Sequence, residues 1–453
     1  MKNRDGKTLL IVILLVLILG LGVVPWFFVV SRFLTGWELP DYTPPPAEDV
    51  SPDLNDANGD DDPDDLNDPD DNGDDDPDDI FDPRDDIVTS ISVTHPDINR
   101  ELRAIANNFG AVAVSLVAID GELGVYHTYE YGYADVQQNR RIDMDTKYRI
   151  ASLSKLLTVI CAMTLVDNDF LDLDTDISTY LGFEVRNQHF PDMQITARML
   201  MQHTSSIFDS NMFIESRDRD STESVRYVID NGMTFRRSQP GSVFEYSNFG
   251  YAILGALCER IYGTSLDTMA REVIFDPMGI DAAYVPRNLY DTSNIAIIYS
   301  DDHTVSRSVQ AQLDVKESST LGHDLHLAQG NLTISALDYA RILMMLFDNG
   351  VSNSVRILSE NSVKEIHIAS VEGNGYRQGL GTRYSVGEFI PDEGLYWHTG
   401  SSFGIFSQFI YDIEEKRGVI IITSGASIER QHSGKIDICT DMSLEAWLIF
   451  ELE

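Results

Sequence analysis

Hydrophobic and polar positions divide the 453 residues into four stretches of different rhythm. Residues 1–8 are polar, residues 9–31 are apolar and uncharged, and residues 32–90 hold few apolar positions among many Asp and Pro. From residue 91 to 453 the pattern is that of a globular domain. There, apolar residues recur at helical spacing over 98–108, and strand-like runs cover 111–119 and 124–131. The middle is mainly helical, with apolar helices over 153–163 and 251–262. Strand patterns return at 379–386, 403–412 and 418–423, and an amphipathic helix over 436–450 closes the chain. Strands at both ends with helices between predict one antiparallel sheet built from the two termini and flanked by helices. With a helical insertion, this is an α/β (α+β) sandwich carrying an all-α subdomain.

The apolar run at 9–31 is long enough as a helix to cross a hydrocarbon core of about 30 Å. It exceeds the usual apolar length of a cleaved leader, and Trp26, Phe27, Phe28 and Trp37 suit a membrane interface. Lys2, Arg4 and Lys7 precede it, so the expected arrangement is a cytoplasmic N-terminus at 1–8, a single-pass anchor in the cell membrane, and everything beyond Arg32 extracytoplasmic.

The net charge of −40 changes meaning once it is located. Residues 47–86 hold 20 acidic residues and one basic residue, Arg84, and so contribute −19, leaving −21 for the rest. Such a chain repels polyanions, which excludes nucleic acid as a partner. The acidic stretch has almost nothing to bury and reads as a spacer. Within it the string N-G-D-D-D-P-D-D occurs at 58–65 and again at 72–79. Around the second copy Asp68, Asp70, Asn72, Asp76 and Asp79 have the spacing of a calcium loop, resembling thrombospondin type 3 repeats and the start of an EF-hand. The alternative is a solvated tether that binds cations loosely. Cys161, Cys258 and Cys439 are too few and too dispersed for a disulfide framework, and two of them lie in apolar runs as core residues do.

Three short motifs carry the candidate chemistry. Ser152 and Lys155 form S-x-x-K at the start of an apolar helix, where the helix dipole favours an alkoxide and Lys155 lies on the same face one turn on. A buried amine is pushed toward its neutral form, as a base for serine must be. Tyr246 and Asn248 sit in a loop feeding the helix over 251–262, where a phenol can relay a proton and an amide can hold substrate. His398, Thr399 and Gly400 lie between two strand patterns, so that His398 is expected to face a cleft and Gly400 to admit substrate backbone.

In that order, the three motifs resemble the class C β-lactamase, DD-carboxypeptidase and serine esterase group of penicillin-recognising enzymes. The resemblance extends over about residues 90–453 and includes the block ending in His203, Thr204 and Ser205. It implies the β-lactamase/DD-peptidase fold, Ser152 as nucleophile, Lys155 with Tyr246 as the acid/base pair, and Asn248, His398, Thr399 and Gly400 as substrate-binding residues. It also implies an oxyanion hole from the backbone N–H groups of Ser152 and Ser401. His398 stands where true class C β-lactamases have lysine, as in the DD-carboxypeptidases and esterases of the group. Two positions depart from the pattern: Ser206 replaces a glycine, and Gly330-Asn331-Leu332 replaces Gly-Gly-Leu.

Two local rivals are weaker. Gly400 to Gly404 also spell G-x-S-x-G around Ser402, with Asp412 and His432 downstream, but that elbow needs a helix where 405–412 reads as strand. His323, Asp324 and His326 lack a further ligand pair, so no catalytic metal is expected, and no organic cofactor either. The expected function is a serine hydrolase working through an acyl-serine on D-amino-acid peptides or a β-lactam. A small-ester esterase and a non-catalytic surface-binding protein are the alternatives.

Overall fold

A strand whose residues are buried on both faces shows no alternation in burial. That holds for β1, Ala113–Asp120, where every side chain but the last is buried. The protein is seen here as a computed structural model that describes residues 95–451 apart from 219–223, 374, 429–430 and 433–434. The apolar run at 9–31 and the spacer with Asp68, Asp70, Asn72, Asp76 and Asp79 lie outside the described residues. No helix among the described residues is long and apolar enough to cross a membrane.

The chain enters through helix α1, Pro96–Asn108, with its proline in the first turn where a missing N–H costs nothing. After β1 come β2, Gly124–Asp135, and β3, Arg140–Arg141. The helical section contains α2, Ser154–Asp167, α3, Asn248–Tyr262, the short α4, Leu327–Gly330, and α5, Ala336–Phe347. The return to strands gives β4, Val371–Glu372, β5, Arg377–Gln378, β6, Arg383–Val386, β7, Gly394–Ser402, β8, Ile405–Asp412, and β9, Arg417–Ser424. Helix α6, Asp437–Trp447, follows. The nine strands form one sheet in the order β4-β5-β6-β7-β8-β9-β1-β2-β3. Every pairing is antiparallel, with β1 joined to β9 from Ala113 opposite Ser424 to Asp120 opposite Arg417.

The period of two sorts the strand residues between two cores. Val114, Leu116, Ala118, Val419 and Ile421 face Leu102 of α1 and Met442 and Trp447 of α6. Val117, Ile119, Ile420 and Ile422 face the helical section, with Leu157 of α2, Leu254 of α3 and Leu343 of α5. Each fully buried aliphatic side chain contributes about 2 kcal/mol of transfer free energy. The sandwich built from both termini is therefore as expected, with two local differences. The stretch 379–386 is not one strand: a turn with Gly381 at φ 72° separates β5 from β6. The helical section also carries short ladders, such as Lys147–Arg149 against Thr333–Ser335. All three cysteines are buried free thiols, in keeping with the core positions expected of them.

Candidate active site

Ser152 lies on a single 3₁₀ turn, Ala151–Leu153, that leads into α2 rather than on the α-helix itself. Ala151 is held at φ 51°, a left-handed conformation that costs a non-glycine residue about 1 kcal/mol or more. The turn is over-determined by its neighbours. Ser154 Oγ donates to Ala151 O at 2.6 Å and accepts from Leu332 N at 3.1 Å, and Ser407 Oγ on β8 donates to Ile150 O at 2.8 Å. Beyond the turn, residues 154–165 of α2 are all buried, so Lys155 is drawn into the core between α2 and α3.

The amine is fully buried, and burial is the largest cause that lowers its pKa, with Arg383 acting in the same direction and Tyr246 and Asp209 opposing. Lys155 Nζ lies 2.9 Å from Asn248 Oδ1, 2.6 Å from the Gln329 carbonyl and 3.2 Å from Ser152 Oγ. Two of these partners are carbonyl oxygens that can only accept. A neutral amine gives them its two N–H groups and keeps its lone pair aimed at the serine hydroxyl. Tyr246 Oη donates to Ser152 Oγ at 2.9 Å. The serine oxygen thus sits between an amine and a phenol, each within proton-transfer distance.

Asn248 opens α3, and its place is set by Asp209, which the sequence reading did not single out. Asp209 Oδ2 accepts from Asn248 Nδ2 at 2.8 Å, and Oδ1 accepts from Phe249 N at 2.8 Å and Ser247 Oγ at 3.3 Å. Asp209→Ala should therefore lower kcat/KM by about tenfold and stability by about 1–2 kcal/mol. Asp209→Asn keeps an acceptor for the Phe249 amide, so its melting temperature should recover more than its activity; equal recovery of both would count against a positioning role.

His203, named in the sequence only as part of the block ending at Ser205, has a role here that the sequence did not assign. Its Nδ1 accepts from Ser247 N at 3.1 Å and its ring lies 4.4 Å from that of Tyr246. Burial, then Lys155 and Arg383, hold it neutral. Ser206, in place of the usual glycine, adopts φ 63° and accepts from Asn187 Nδ2 at 2.8 Å. Asn331 of the second departure accepts from Arg149 Nε at 2.9 Å and donates to Tyr284 O at 2.7 Å.

Gly400 on β7 meets the nucleophile turn edge to edge. A Cβ there would lie 2.4 Å from Ser407 Oγ, 2.6 Å from Ile150 O and 3.1 Å from Ser152 N. Only glycine allows that approach, which brings the β7 edge alongside Ser152; Ser401, next on β7, is exposed and opposite Phe406. His398 departs from expectation: it is 1% exposed and packs between Tyr246 and Phe409 rather than lining an open cleft. Its Nδ1 is 2.7 Å from the Thr399 carbonyl, to which it donates, and Nε2 has no partner among the described residues. Burial, then Arg383 and Lys155, keep it uncharged. The cation at this edge is Arg383 of β6, also missed in the sequence. It is buried, its Nη1 lies 3.5 Å from Thr399 Oγ1, and its guanidinium is within 6 Å of the rings of Tyr246, Tyr376 and Trp397. The rival Ser402 accepts from Arg149 Nη1 at 2.7 Å and is followed by strand β8, not by the helix an elbow requires.

The sequence model of the Beta-lactamase family matches residues 102–436. The chain belongs to the beta-lactamase family. Among its relatives, penicillin-binding protein 4 of Amycolatopsis lactamdurans is 26% identical over 65% of this chain and 76% of its own length. Esterase EstB of Burkholderia gladioli is 28% identical over 42% of this chain and 50% of its own. The fold is shared with the octameric penicillin-binding protein homologue from Pyrococcus abyssi, at a TM-score of 0.62 and 20% identity over 79% of this chain and 77% of that one. It is shared equally with the D-amino acid amidase of Ochrobactrum anthropi SV3, at 0.61 and 22% over 79% and 99%. As a beta-lactamase family member with a serine, a buried amine and a phenol in one hydrogen-bonded group, the protein is a serine hydrolase.

Proposed function

We propose that this beta-lactamase family protein cleaves a carboxylate-bearing D-amino-acid peptide through an acyl-serine, as a membrane-anchored, extracytoplasmic DD-carboxypeptidase. The observation that carries the reading is Lys155 Nζ, 2.9 and 2.6 Å from two carbonyl oxygens with Ser152 Oγ at 3.2 Å. Lys155 takes the proton of Ser152 as Oγ attacks the carbonyl, the N–H groups of Ser152 and Ser401 stabilise the oxyanion, and Tyr246 passes a proton to the leaving amine. Asn248 orients the substrate, and the Arg383 guanidinium beside Thr399 receives its terminal carboxylate. The apolar run at 9–31, with its basic residues before it, supports the anchor, and the repeated acidic motif supports a calcium-stiffened spacer.

Small-ester hydrolysis is the second reading, favoured by the neutral, buried His398, which supplies no cation of its own at the substrate edge. Intact-mass spectrometry of the full chain with a fluorescent penicillin, alongside release of D-alanine from an acyl-D-alanyl-D-alanine peptide and turnover of p-nitrophenyl acetate, separates the two. A penicilloyl adduct on Ser152 with D-alanine release is the expected result. Ester turnover with neither of these would move the activity to the esterase reading.

A further inference from the structure

A cavity of about 440 Å³ is walled in part by Arg149, Arg307, Lys316, Asn331 and Phe403. It shares the short helix α4 with the catalytic site: the Gln329 carbonyl holds Lys155, while Leu327 lines the cavity. Three basic side chains converge there in a chain of net charge −40. Two carboxylates also line it, but each is engaged in its own loop: Asp324 accepts from Ser318 N at 3.0 Å and Asp314 from Gln310 Nε2 at 2.8 Å.

The aromatic ring of Phe403 is clasped by two guanidiniums, Arg307 at 4.0 Å and Arg149 at 4.9 Å from its centroid. Arg149 spends Nε on Asn331 and Nη1 on Ser402. Among the described residues the exposed Arg307 guanidinium has no side-chain hydrogen bond or ion pair, and it lies over the ring face. Stacking uses the face of a guanidinium and leaves its in-plane N–H groups for an anion. Phe403 itself is held at φ 58° in the turn between β7 and β8, so the backbone is shaped to present that ring.

Position along β7 says which part of a substrate would reach it. In chain order along the second half of β7 come Thr399, which the Arg383 guanidinium of β6 approaches, then Gly400, Ser401 and Ser402, with Phe403 just beyond the strand. At about 3.3 Å per strand residue the two cationic positions are roughly 10–13 Å apart, on either side of the acylation point. We propose that the Arg307 cavity is a second anion subsite, which selects substrates carrying a carboxylate on the acyl part, the part that stays on Ser152. This deepens the acyl-serine reading and rests on it.

The test uses the full chain and two thioesters of one thiol whose acyl groups differ only at the far end, one a carboxylate and the other the isosteric amide. In acylation Ser152 Oγ forms an ester with the acyl carbon, the C–S bond breaks, and the serine proton leaves with the thiol. A thioester serves because its reactivity does not depend on whether the natural leaving group is an amine or an alcohol. The acid should acylate Ser152 about tenfold faster than the amide, as one charge-assisted hydrogen bond allows. In Arg307→Gln that ratio should fall to near one, and in Arg307→Lys it should be intermediate, because the charge is kept and the fork is lost. A ratio measured on one preparation does not depend on the fraction of folded protein. Equal rates in the unaltered protein, or a ratio unchanged in Arg307→Gln, would overturn the subsite. If neither thioester nor a fluorophosphonate labelled Ser152, the acyl-serine reading itself would fail and this inference with it. Thioester labelling without D-alanine release from the peptide would cost only the peptidase assignment.

Discussion

Ser152→Ala should abolish covalent labelling by penicillin and fluorophosphonate and reduce turnover by about 10⁵-fold or more, the scale set by removing a nucleophile from a triad-type site. The hydroxyl it removes is the common point of the site. Tyr246 Oη donates to it at 2.9 Å and Lys155 Nζ lies 3.2 Å away. Among the described residues the neighbouring serines are engaged elsewhere: Ser154 Oγ bonds Ala151 O and Leu332 N, and Ser402 Oγ accepts from Arg149. Intact mass after incubation reads this directly. An adduct of undiminished yield in Ser152→Ala would reject the assignment.

Lys155→Ala should cost about 10²–10⁴-fold in the acylation rate, the range for a positioned general base. Its pH profile should change with it. Burial lowers the pKa of Lys155 below 10.5, and the base is the neutral amine, so acylation should rise with pH through that depressed value and then level. In Lys155→Ala the limb should vanish. Arg383 also lowers this pKa, so Arg383→Gln should move the limb to higher pH, whereas Asp209 raises it and Asp209→Ala should move it to lower pH. The sign for stability follows from proton counting. The unfolded chain binds this proton up to about pH 10.5 and the folded one releases it earlier, so the lysine's contribution to stability rises with pH between the two values. A rate profile without that limb in the unaltered protein, or with the same limb in Lys155→Ala, would exclude the amine as base.

Much of this site was legible because its chemistry is partly local. Ser152 and Lys155 are three residues apart on a helical turn, and Thr399 to Ser401 share one strand edge. Strands β1, β8 and β9 were legible for a related reason: their apolar residues fill both cores, so the runs are nearly continuous. Asp209, His203, Arg383 and the Gln329 carbonyl were not. Gln329 meets Lys155 across 174 positions and Asp209 meets Asn248 across 39, and nothing in the local pattern around an isolated acid or amide marks such a contact. Ser206 was visible as a departure, but the Asn187 bond that accompanies its left-handed backbone was not.

By itself the sequence determined the order of the chemical groups, the sheet built from both ends of the domain, and a polyanion-repelling charge of −40, because composition and short-range periodicity act locally and additively. Only the tertiary structure decided the protonation states. His398 has the polarity of a cleft residue yet is buried and uncharged, while the cation at that edge comes from Arg383 on the neighbouring strand. Lys155 has a lowered pKa because packing between α2 and α3 buries its amine, with Asn248 and the 329 carbonyl as its partners. The free energy of a buried charge depends on every group packed around it, and that surrounding is assembled from segments that lie far apart in the chain.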